Sequence, residues 1–213
     1  MFEYGLAGGL LRHWIPMPIR TAPAARGSAD RGVLAQVRLA TRGTHDALDA
    51  LLPVGLRDLH DYRRYLGALL PLAEWLAHGD RPDWPRAKTD WDDGQRLDCL
   101  RADCAALDVA TTPTAAPSSA SWPHWLGGCY VIEGSALGAR LLSRHAAGLA
   151  EEHAEVRGAR RFLGHITSDP PRWGRFVRLL DALPEGDAEA ATSGARDGFA
   201  IVHSRLAPGG APA

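Results

Sequence analysis

Along residues 33–52, VLAQVRLATRGTHDALDALL, the side chains that suit a core return every three or four positions: Leu34, Val37, Thr44, Leu48 and Leu51. That spacing is the period of an α-helix with one buried face. The same period recurs along the chain, and no alternating apolar/polar run of useful length is present to build a strand. The class expected is therefore all-α. Pro53 and Gly55 stop the first helix. A second runs over about 58–78 on Leu59, Tyr62, Leu66, Leu69, Leu70 and Leu76, with Gly79 as its cap and Pro71 expected to kink or divide it. A third covers about 95–107, with Leu97, Leu100, Cys104 and Leu107 on one face. A long helix over 122–147 ends at Gly148, and further helices are expected at 157–167, 171–183 and 188–206. Residues 33–206 read as one helical domain. Residues 1–32, interrupted by proline and glycine, read as a loosely ordered N-terminal extension, and 207–213 as a disordered tail.

The bulk numbers narrow the function classes. With 213 residues the chain can bury a self-sufficient core. Lys+Arg 24 against Asp+Glu 25 leaves a net charge of −1, so no basic excess points to nucleic acid or to an anionic membrane surface. Lys88 is the single lysine, so arginine carries the positive charge and each arginine has to be argued by position. Cys99, Cys104 and Cys129 form neither a disulfide framework nor a paired metal motif, which fits a reducing compartment. The first residues, MFEYGLAGGLLRHW, lack a basic start and are too short to span a bilayer. Together these point to the cytoplasm, with no membrane insertion.

Two stretches carry possible chemistry. On the first helix Arg38, Thr41, His45 and Leu52 share a stripe, and Arg38 precedes His45 by two turns, roughly 10 Å along the axis. A neutral imidazole is a good iron ligand and a guanidinium a good carboxylate partner. The separation is about that between the centre of a porphyrin and its propionate edge. The other reading is a half-buried histidine beside a solvated arginine. In WLGGCYVIEGSALGARLL, Gly134 and Gly138 share a helix face, preceded by Gly127 and Gly128 and extended by Ser135 and Ala139. Each glycine costs about 1 kcal/mol relative to alanine within a helix. Such a surface serves either tight helix–helix packing or a helix laid against a flat ligand.

Taken together, VRLATRGTHDALDALL and YVIEGSALGARLL resemble two helices of the heme oxygenase family, particularly the bacterial enzymes found with iron acquisition or with bacteriophytochromes. The segments DYRRYLGALLPL, RWGRFVRLLDAL and ARDGFAIVHSRL resemble other helices of that family, so the likeness spans about 33–206. It implies a single helical bundle with heme between a proximal and a bent distal helix, heme being both cofactor and substrate. His45 falls at the position of the iron ligand, Arg38 and Arg42 at frequently basic positions, and Gly134 and Gly138 at the two distal glycines. Ser135 stands where the mammalian form has an aspartate that orders water, and Ala139 where many members have a glycine. Arg144 matches a basic position of some bacterial members. Leu163, Ile166 and Thr167 lie where many members place a basic or tyrosine contact to the heme edge.

The activity so implied is opening of heme to biliverdin with release of iron and carbon monoxide. It uses O2 and an external donor, a ferredoxin or reductase, since no flavin or nicotinamide fingerprint is present. A bacteriophytochrome is a candidate biliverdin acceptor. Two rivals remain open: a heme carrier or sensor with the same fold, and a helical interaction module using the small-residue stripe. The other candidates read as structural. His124 is expected at the surface near a helix start, His145 and His153 form no metal pattern, Glu151 and Glu152 lie on a solvated face, Asp92 and Asp93 charge a helix start, and Cys99 and Cys104 are packing residues.

Overall fold

The computed structural model describes residues 32–78, 91, 94–110 and 121–207. All regular structure among them is helical: α1 Val33–Leu51, α2 Leu59–His78, α3 Gly94–Ala106, α4 Trp122–Glu152, α5 Ala154–Gly158, α6 Arg161–Thr167, α7 Arg172–Asp181 and α8 Ala188–Leu206, with one 3-10 turn at Glu185–Asp187 before α8. The expected all-α bundle is what the chain forms. The expected extension, apart from Gly32, lies outside the described residues, as do the tail beyond Ala207 and Asp92 and Asp93.

The last helix is the spine. α8 packs most extensively on α4 and also supports α1 and α2, while α3 bridges α2 and α6. The core is dominated by Tyr62, Leu66, Trp75, Trp125, Phe162, Phe176 and Phe199, all fully buried or nearly so. The α4–α8 crossing is set by two glycines. A Cβ built on Gly127 would stand 1.9 Å from the Ala191 carbonyl oxygen, and one on Gly194 would stand 1.7 Å from that of His124. The close-packing reading of the small residues thus holds at Gly127.

Helix ends follow local chemistry where the signals are local. Asp58 starts α2 by accepting the Asp61 N–H at 2.8 Å. The Ser121 hydroxyl accepts from the His124 N–H at α4, where Pro123 occupies the first turn. After α1 the chain turns at Gly55, whose φ of 76° suits glycine, and the next N–H, of Leu56, is accepted by His145 Nδ1 at 3.2 Å. His145 is thereby committed to holding this turn against α4.

Several boundaries differ from expectation. Pro71 does not divide α2. α4 runs through the exposed Gly148 to Glu152, because continuing the helix buries Leu149 and Ala150. The expected helix over 157–167 is instead two, broken between Gly158 and Arg161. At the break the Ala159 carbonyl accepts the Tyr62 hydroxyl at 2.5 Å. Asp103 of α3 accepts the N–H groups of Arg161 at 3.1 Å and Phe162 at 2.8 Å. Two buried polar side chains from distant helices therefore take the backbone groups that a continuous helix would use. His124 is buried rather than at the surface: it is 7% exposed, with Nε2 3.0 Å from Asp197 and its ring edge-on to Trp75.

Candidate functional site between α1 and α4

α1 lies on α8 and α7, and its inner stripe is Val33, Leu34, Val37, Thr41 and Leu48. Its start is anchored from α7, where Asp181 Oδ1 accepts the Leu34 N–H at 3.0 Å. That fixes the register of the helix carrying His45. The His45 side chain is 12% exposed, and its Nδ1 stands 3.4 Å from a carboxylate oxygen of Asp49, one turn on. That contact is at ion-pair range without hydrogen-bond geometry, so Asp49 is a charged neighbour of the ring.

From His45 a row of ring contacts crosses the bundle. The imidazole meets Phe199 of α8 edge-on at 5.9 Å between centroids. Phe199 meets Tyr130 of α4 at 6.3 Å, and Tyr130 meets Trp173 of α7 at 6.0 Å. Among the described residues, Trp173 in turn is the neighbour within 4 Å that a Cβ on Gly134 would find, in ordinary contact at 3.9 Å. A side chain at Gly134 would therefore meet no clash there, unlike one at Gly127. The row draws on α1, α8, α4 and α7 and runs from the stripe of α1 to the Gly134 turn of α4.

The other sequence candidates divide. Arg38 is half-buried and faces Tyr130. Burial pushes the Tyr130 phenol above its ordinary value, and the Arg38 charge and the Thr41 and Arg38 side chains, bonding to it, work the other way. Gly138 and Ala139 are buried in α4. Ser135 is fully buried, and its hydroxyl donates to the Ile132 carbonyl at 2.7 Å. Arg42 and Arg144 are exposed, outside the ring-contact row.

A small pocket of about 30 Å³ opens next to this row. It is lined by Leu48, Asp49 and Leu52 of α1, Leu142 of α4, and Tyr65 and Val202 among others. It lies one turn further along α1 than His45 and one turn beyond Gly138 on α4, and its lining is almost wholly apolar. Among the described residues no helix is long and apolar enough to cross a membrane.

Sequence reasoning missed Asp49, Tyr130, Trp173 and Phe199. Asp49 was available as the i+4 neighbour of His45 in HDALD, and Tyr130 as the residue one turn before Gly134. Phe199 and Trp173 left no local signal, because only the packing of α7 and α8 brings them here.

No family model matches the chain. It is, however, 34% identical over 123 residues to a heme oxygenase of Xanthomonas campestris pv. campestris (strain 8004), a match covering 55% of this chain and 70% of that protein. A likeness of that strength over most of the relative, on an all-helical fold, settles the family: the chain belongs to the heme oxygenases.

Proposed function

We propose that the chain is a heme oxygenase that binds heme between α1 and α4 and opens it to biliverdin, releasing iron and carbon monoxide with O2 and electrons from a separate ferredoxin or reductase. The observation that carries this reading is the row of rings that joins the His45 imidazole to Trp173 beside Gly134. Packing among the described residues does not require glycine at 134, since a Cβ there would meet Trp173 in ordinary contact, so a ligand laid on this turn gives the glycine a reason. The His45 imidazole, with the Asp49 carboxylate nearby, is a donor that suits iron.

When bound, heme supplies the iron that activates O2 and the porphyrin that is oxidised. His45 Nε2 would hold the iron, with the Asp49 carboxylate near the other ring nitrogen. Arg38, two turns before His45 on α1, would supply a positive charge for a propionate. The apolar pocket along Leu48, Leu52 and Leu142 would keep water from that side of the site. Gly134 and Gly138 let the distal backbone come close, and Ser135 and Ala139 complete the small surface. Arg42 and Arg144, both exposed, are in position to meet solvent-facing carboxylates or a donor protein. A bacteriophytochrome accepting the product is part of the same proposal, as is the assignment of 33–206 as the heme-binding domain in a cytoplasmic bacterial protein.

A specific feature favours a second reading. The Ser135 hydroxyl already donates to the Ile132 carbonyl, so it is committed as a donor where the oxygenase reading calls for proton delivery. A carrier or sensor of heme needs no such delivery. Hemin titration followed by ascorbate in air separates the two. The oxygenase gives a one-to-one Soret band, lost in His45→Ala, that bleaches into a biliverdin spectrum, whereas a carrier keeps its Soret band under reductant. Asp49→Asn tests the ligand's support and is expected to weaken hemin binding by roughly ten- to a hundredfold.

A further inference from the structure

Glu133 precedes Gly134 in α4 and is only 2% exposed. Its carboxylate takes Arg96 Nη2 of α3 at 2.8 Å and, from Arg172 at the start of α7, Nε at 2.9 Å and Nη2 at 2.9 Å. Arg172 also lies over the Trp91 ring, 4.7 Å from its centroid, and Trp91 packs edge-on against Phe176 of α7. The residue after Arg172 is Trp173, which stands 3.9 Å from where a Cβ on Gly134 would be. A buried carboxylate–guanidinium cluster adds little stability over an apolar core of the same shape. What it adds is direction, because the forked guanidinium accepts a carboxylate in few geometries. That direction is imposed at the turn before two glycines, where the helix is least able to hold its own path.

We infer that Glu133 is a positioning residue. Through Arg96 and Arg172 it ties the last turn before Gly134 to α3 and α7, and so sets how Trp173 seats against the distal glycine face. This rests on the heme oxygenase reading above. It also assigns a role to a carboxylate that touches neither the His45 stripe nor the apolar pocket.

The test uses the full chain labelled with fluorotryptophan, with the Trp173 resonance assigned through Trp173→Phe. Glu133→Asp shortens the clamp by one methylene and keeps its charge. Arg172→Lys keeps the charge and loses the fork, and it is read independently should Glu133→Asp fold poorly. In the heme-free protein both variants are expected to move the Trp173 resonance and leave that of Trp75 in place. With hemin, affinity is expected to stay within about threefold while kcat falls roughly ten- to a hundredfold and the biliverdin isomers become mixed. An unmoved Trp173 resonance, or wild-type kcat with a wild-type isomer ratio in both variants, overturns the inference. If the wild type binds no hemin, the proposed function fails, and the fluorine spectrum still decides whether the clamp sets Trp173.

Discussion

At the scale of single residues, two glycines of α4 that look alike in the sequence have opposite surroundings. A methyl at Gly127 runs into the backbone of α8, whereas one at Gly134 meets, among the described residues, only the rim of Trp173 in ordinary contact. Gly127→Ala is therefore expected to destabilise the fold by about 1–3 kcal/mol or more, since backbone cannot move aside as a side chain can. Gly134→Ala is expected to keep or raise the melting temperature, gaining up to about 1 kcal/mol of helix propensity, while biliverdin formation collapses because the methyl occupies the ligand's space. Thermal unfolding and turnover on the same two preparations check both. A Gly134→Ala protein with wild-type turnover would remove the distal role of that face. The contrast was not legible in WLGGCYVIEGSALG, where spacing alone admits close packing and ligand contact equally for every glycine.

At the scale of elements, the long periodic helices were legible because their buried faces repeat at 3.6 residues, and α1, α7 and α8 begin and end within a few residues of where the pattern places them. The break between α5 and α6 was not, because its causes come from far along the chain: the Tyr62 hydroxyl is 97 residues from Ala159, and Asp103 is 58 from Arg161. Asp103 caps α6 with both oxygens, so Asp103→Asn leaves one backbone N–H facing an amide NH2. We expect it to cost about 1–3 kcal/mol, seen as a lower urea midpoint with an unchanged slope. Asp61, at the start of α2, gives a pH signature. Its burial raises the carboxyl's pKa, but the Arg57 and Arg64 guanidiniums and the Arg57 N–H outweigh that and hold it below the usual carboxylate value. A folded pKa below the unfolded one means stability that is present above about pH 3.9 and lost as pH falls through the lowered value. Asp61→Asn should remove that contribution at neutral pH and flatten the acid limb of stability against pH; an acid limb as steep as the wild type's would assign it to other groups.

At the scale of the molecule, α8 is the spine that holds α1 and α4 in place, and the candidate site is the region where the His45 stripe, Phe199, Tyr130 and Trp173 meet the Gly134 turn of α4. His45 and Gly134 stood out in the sequence through residue types that suit heme and through the family likeness. Phe199 and Trp173 did not, since they come beside them only once α7 and α8 have packed. A chain with a net charge of −1 needs local positive charge to hold an anionic porphyrin, and in the proposed reading Arg38 on the half-buried side of α1 and Arg42 on its exposed side supply it. The central claim is that this chain degrades heme rather than storing it, and carbon monoxide is the product least open to another origin. The measurement is gas released when the hemin complex of the full chain is reduced in air with a ferredoxin-type donor. The account predicts one carbon monoxide per heme as the Soret band disappears, and none from His45→Ala. An intact Soret band without gas would contradict it and leave a heme-binding protein in its place.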